Sequence, residues 1–193
     1  MGCFDLHCFV VAFVLLKKMD NFFVTNTMYV LKRIRSMCAC VCVTVCVCVC
    51  VCVCVCVCVS APELIVKKFL PLLKMEAKTN ASLPIGYSRA AIVNISSILG
   101  SIQTTLETYH KGYHYHATKA ALNMMTAMLS MDLRDSGILV AAIHPGWVKT
   151  DMGGQDADLE KDTSIEGCWS TISSMTEKSA GQLLNYDGEV IPW

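Results

Sequence analysis

The chain has 193 residues, a length that suits one domain. Apolar residues make up 54% and charged residues 17%, so it is greasier than an ordinary soluble domain. Formal net charge is zero with no long run of one sign, which argues against nucleic acid or an anionic partner.

Of the 13 cysteines, all but Cys3, Cys8 and Cys168 fall between Cys38 and Cys58. That is not the spaced framework of a disulfide-stapled secreted domain, and the rest of the chain has the cysteine content of a cytosolic protein. The first apolar run, Phe9 to Leu16, follows Asp5 and precedes Lys17 and Lys18. A secretory signal carries its positive charge on the other side, so the run reads as a buried or accidental segment.

From Cys38 to Val59 valine alternates with cysteine. As a strand this puts the two residue types on opposite faces; as a helix it has no apolar stripe and is rich in β-branched residues. No charge occurs from Ser36 to Pro62, a stretch longer than the roughly 20 residues that span a bilayer, and Lys32, Arg33 and Arg35 flank it. A thiolate metal cluster fits poorly, because same-face residues of a strand lie ~6.6 Å apart. An alternating G and T nucleotide repeat translates as Val-Cys in every forward frame. The run therefore reads first as translated intron sequence, with a membrane span or an aggregating β segment as the alternatives.

Beyond it the chain has an α/β rhythm. Glu63 to Met75 has helical apolar spacing that Pro71 should kink or cut. Ala90 to Ser96 reads as a buried strand, and Tyr115 to Leu133 as a long helix closed by Gly137. Ile138 to Ile143 reads as a second buried strand, Thr163 to Met175 as a helix, and Leu183 to Trp193 as a strand pair about Asp187-Gly188. Alternation of strand and helix predicts a parallel sheet with covering helices.

Chemistry concentrates at three points. Tyr115 and Lys119 lie four apart and so share one helix face. An ammonium beside a phenol favours the phenolate, and such a tyrosine can exchange a proton with a carbonyl or alcohol oxygen. Ser96 and Ser97 follow the first buried strand, where open α/β sheets bind ligands. Pro145 to Thr150 leaves the second buried strand at the same sheet edge. His110, His114, His116 and His144 have no carboxylate or thiolate partner nearby in sequence and read as loop or helix-surface residues rather than a metal site. Met124, Met125, Met128 and Met131 follow helical spacing, as core or dimer-interface filler.

Taken in order, NISS, YHATKAALN and HPGWVKTDMGG resemble the short-chain dehydrogenase/reductases. KFLPLLK, SSILGSI and NYDGEVIPW are similar to the carbonyl reductases called C-factor-type or sniffer-type. The likeness covers Ala61 to Trp193. It implies an incomplete Rossmann-like doubly wound parallel sheet that binds NADP(H), leaves NAD(H) open, needs no metal, and reduces a small carbonyl compound to an alcohol in the cytoplasm. In that family Tyr115 would be the general acid, Lys119 its partner and a ribose ligand, and Ser97, ahead of Ser96, the donor to the carbonyl. Pro145 and Gly146 would help to bind the cofactor, and Val148 and Thr150 would belong to the loop that meets the nicotinamide carboxamide and the phosphates. Asn26, in FFVTNT, matches a fourth catalytic residue. The helix bearing Tyr115 commonly packs on a second subunit, which implies a homodimer for the intact enzyme. Asp151 to Asp162 resembles the substrate loop and reads equally well as a solvated surface loop.

The family opens with a glycine-rich turn that holds the pyrophosphate, whereas Gly2 is the sole glycine before Gly86. The expected organisation is a preceding remnant over 1–27, a Val/Cys insert over 28–60 and a C-terminal half-domain over 61–193. The first βα units are then missing, the sheet should expose an unpaired edge, and the chain should fold poorly and hold NADP(H) weakly. A membrane enters the reading only if the stretch from Ser36 to Pro62 is a real span.

Overall fold

The computed structural model describes residues 12–15, 59–107 and 112–193. Asn26, His110 and the Val/Cys run lie outside the described residues. In chain order come β1 (Ala12–Leu15), α1 (Ala61–Thr79), β2 (Ala91–Ile95), α2 (Ile102–Glu107), α3 (Tyr113–Asp132), β3 (Leu139–His144), α4 (Lys161–Ser174), β4 (Leu183–Asn185) and β5 (Val190–Ile191). Single 3₁₀ turns stand at Ile98–Gly100, Arg134–Ser136 and Glu177–Ser179.

The sheet runs β1-β2-β3-β4-β5. Strands β2, β3 and β4 are parallel, with Ile95 opposite Ile143 and His144 opposite Asn185. β5 returns antiparallel to β4. The apolar runs AIVNI and LVAAIH are buried on both faces, as parallel strands with helices on either side must be. Ile92 and Val140 face α1 and the end of α3, where they meet Ile65, Val66, Leu73 and Leu133. Their neighbours Ala91, Val93, Leu139, Ala141 and Ile143 face Ile172 and Met175 at the end of α4. Alternation along each strand thus divides one sheet between two helical layers.

Four expectations are corrected. Pro71 does not cut the first helix, which runs unbroken from Ala61 to Thr79. Ile65 and Val66 before the proline and Leu73 and Ala77 after it pack into one core cluster, which offsets the roughly 3 kcal/mol cost of the ring. The edge beside β2 is not unpaired: β1 closes it antiparallel, from Ala12 opposite Asn94 to Leu15 opposite Ala91. Part of the apolar run Phe9 to Leu16 therefore satisfies the backbone groups of an otherwise open strand. Met124, Met128 and Met131 are not core filler, being 64%, 61% and 69% exposed. The inward face of α3 is instead occupied by Lys119, Asn123, Thr126 and Ser130 around Leu122. Finally, His144 is the last residue of β3 rather than a loop or surface histidine.

Among the described residues no helix is long and apolar enough to cross a membrane.

Candidate active site

Parallel pairing brings the predicted residues to one edge of the sheet. Ser96 N–H donates to the Ile143 carbonyl at 2.8 Å, so the chain leaves β2 and β3 side by side. Ser96 and Ser97 emerge from one strand, and His144, Pro145 and Gly146 from the other.

Helix α3 lies over this edge. Gly112 precedes it at φ +144°, and Tyr115 and Lys119 share its inward side. Lys119 is 3% exposed, an unusual burial for an ammonium, and its Nζ donates to the Ile95 carbonyl at 2.9 Å. The same Nζ stands 5.7 Å from the centroid of the half-buried Tyr115 ring. A buried cation is thus fixed between a phenol and the strand end that leads into Ser97.

The two serines are engaged differently. Ser96 Oγ donates to Asn123 Oδ1 in a short buried hydrogen bond. Ser97 Oγ accepts from the Leu99 N–H at 3.2 Å as cap of the following 3₁₀ turn, and among the described residues its own proton goes to no partner. Ser97 is therefore the one whose hydroxyl can be offered to a ligand.

Beyond β3, Pro145 is held by Ser164, whose buried hydroxyl donates to its carbonyl at 2.6 Å. Gly146 adopts φ +83°, which turns the chain into a closed loop. Val148 bridges Leu159, and Lys149 N–H donates to the Leu159 carbonyl at 2.9 Å. Thr150 Oγ1 accepts from Gly153 N–H at 3.0 Å, and Trp147 Nε1 donates to the Gly153 carbonyl at 2.7 Å. Lys149 also pairs with Glu160 across the base. Asp151 to Glu160 is thus a self-bonded loop, and α4 begins at Lys161.

Three features were not read from the sequence. His144 is half-buried with its Nδ1 out of solvent, and desolvation, then the charge of Lys119, lower its pKa to about 4 against a smaller opposing effect of Asp187. His144 is therefore neutral at physiological pH. Asn94 Nδ2 donates to Thr126 Oγ1 at 2.9 Å inside the core. Asn123 receives Ser96. The signal for the last two was present in the spacing: Lys119, Asn123 and Thr126 fall one below another on a helix face.

A family model described as short chain dehydrogenase matches residues 64–161, and the chain belongs to that family. Within it the likeness is to carbonyl reductases. The carbonyl reductase Sniffer of D. melanogaster is 46% identical with a TM-score of 0.68, over 72% of this chain and 55% of that one. An NADPH-bound carbonyl reductase from chicken fatty liver is 43% identical with a TM-score of 0.66, over the same 72% and 55%. The C-signal of Myxococcus xanthus is 37% identical over 118 residues, 60% of this chain and 69% of that protein. The chain spans about half the length of the two solved relatives.

Proposed function

We propose that the chain carries the carbonyl-reducing part of an NADP(H)-dependent reductase, with Tyr115 as general acid. The observation that supports this most is the buried Lys119 ammonium, set 5.7 Å from the Tyr115 ring and bonded at 2.9 Å to the carbonyl two residues before Ser97. When a carbonyl carbon accepts a hydride, negative charge develops on its oxygen. Tyr115 hands that oxygen its proton, while the Ser97 hydroxyl donates a hydrogen bond to it and orients it. Lys119 favours the phenolate that remains. Asn26 joins as a fourth catalytic residue on the strength of the Asn26-Thr27 pair alone.

A nicotinamide held at this edge would supply the hydride. Residues at the sheet edge suit its end of the nucleotide: a buried ammonium and hydroxyl donors match ribose oxygens, and Pro145, Gly146, Val148 and Thr150 would belong to the loop that meets it. The glycine-rich turn that holds the pyrophosphate in the family has no match in the sequence, where Gly2 is alone before Gly86. NADP(H) is favoured by the NADPH-bound relative, with NAD(H) as the second choice. Weak nucleotide binding is the expectation for these 193 residues. Isothermal titration with NADPH should give an affinity weaker than micromolar, and micromolar binding would overturn this part.

In this reading residues 61–193 form the family-like unit, 1–27 a remnant and 28–60 an insert, in a cytoplasmic enzyme of a small carbonyl substrate. The exposed Met124, Met128 and Met131 suit a homodimer of the intact enzyme. A second reading, a membrane-anchored or inactive relative, rests on the uncharged stretch from Ser36 to Pro62. Extraction that requires detergent would favour the anchor. Sequencing the mature transcript across the codons for Asn26 to Pro62 tests the insert: absence of the repeat supports its intron origin, and presence contradicts it.

A further inference from the structure

Three consecutive features of the segment after β2 are tied to one turn of α3. The Ile95 carbonyl accepts from Lys119 Nζ at 2.9 Å. The Ser96 hydroxyl donates to Asn123 Oδ1, with both residues 2% exposed. Gly100 presses on the helix backbone: a Cβ there would lie 2.7 Å from the Lys119 carbonyl carbon, 2.8 Å from Asn123 Nδ2 and 2.9 Å from Ala120 N. Between the second and third ties stands Ser97, whose Oγ caps the turn through Leu99 N–H at 3.2 Å.

Ser97 has no side-chain anchor of its own to α3. Its place relative to Tyr115 and Lys119 is therefore set by its neighbours. Asn123 is buried for one contact, since its Nδ2 has no partner among the described residues. An amide buried at that cost in a helix face is out of place as mere core filler, for which leucine would serve. We propose that Asn123, acting through Ser96, and Gly100, acting through close approach, are positioning residues that clamp Ser97 at the reacting carbonyl. Serine and asparagine have defined roles here: the Ser96 hydroxyl ties the strand end to Asn123, and the next residue, Ser97, is itself 5% exposed and held beside that tie. The proposal rests on the carbonyl-reductase reading for what Ser97 does, and on the structure alone for how Ser97 is held.

The test has two arms on the full chain. Residue-resolved amide hydrogen exchange is compared for the unchanged chain, Ser96→Ala, Asn123→Ala, the double variant, Gly100→Ala and Ser96→Thr. Leu99, Gly100 and Ser101 amides should exchange at least tenfold faster in the first four variants, with α1 and α4 unchanged and the double variant no worse than either single. Ser96→Thr keeps the hydroxyl and should restore protection. Uniform acceleration across the sheet, or additive single effects, would overturn the clamp in favour of a general structural role. Gly100→Ala removes no hydrogen-bonding group and acts through the close approach alone, so it decides the matter if the Asn123 variant does not fold. In the second arm, carbonyl-dependent NADPH oxidation is measured at millimolar nucleotide, where kcat should fall about tenfold in the clamp variants with KM for NADPH unchanged. An unchanged chain with no turnover would sink the functional reading, while the exchange arm still decides the clamp.

Discussion

Helices α1 and α3 lie on the same face of the sheet, yet they are built in opposite senses. α1 buries Ile65, Val66, Leu73 and Ala77 and exposes Lys67, Lys68, Lys74 and Lys78, the division of an amphipathic helix, although Leu64, Leu72 and Met75 also reach solvent. α3 buries Lys119, Asn123, Thr126 and Ser130 and exposes Met124, Met128 and Met131. The first helix closes the core. The second turns its polar residues to the sheet because its inward face carries the groups proposed for chemistry, and a buried polar group needs a fixed partner. A helix with polar residues inside and apolar residues outside is thus a sign of function that composition alone conceals.

Four substitutions or conditions break that comparison, in falling order of effect. Leu73→Ala on α1 should cost about 3 kcal/mol or more in a denaturant melt, since the side chain is fully buried. Acid should cost roughly 2 to 3 kcal/mol through His144 beside α3. Burial lowers its folded pKa to about 4 from 6.5, so the unfolded chain binds the proton more readily. The contribution is complete above about pH 6.5 and is lost as pH falls toward 4. A His144→Asn variant should flatten melting temperature over that window, and an unchanged slope would count against the burial of the ring. Thr126→Val on α3 removes the acceptor of Asn94 Nδ2 and should cost about 1 to 2 kcal/mol. Adding Asn94→Leu should recover part of it. Met128→Ala should change the stability of the single chain by less than about 0.5 kcal/mol. A larger loss that depends on protein concentration would reveal a covered methionine face.

The order of strands and helices and the two buried strands were legible because apolar runs and helical periodicity mark them directly. Ser97 and the Pro145-Gly146 turn could be placed at one sheet edge from the sequence, since each follows a recognisable strand end, whereas Tyr115 and Lys119 could be placed only on one face of a helix. Pro71 misled because propensity is local while the packing that overrides it is not. The closure of β2 by Ala12–Leu15 was hidden because a four-residue apolar strand resembles any other short apolar run. The methionines left two readings, core or dimer interface, because helical spacing identifies a face but not its direction, and their exposure removes the first. Asn94, Asn123 and His144 were passed over because a polar residue in a core pattern shows its partner only in three dimensions.

In the proposed reaction Tyr115, beside Lys119, protonates a reduced carbonyl. That step is tested most directly by the rate of NADPH oxidation with a reactive aromatic aldehyde, measured at millimolar NADPH for the unchanged chain and for Tyr115→Phe. The account predicts slow turnover in the unchanged chain and a loss of at least about a hundredfold in the variant. Equal rates in the two proteins would contradict it.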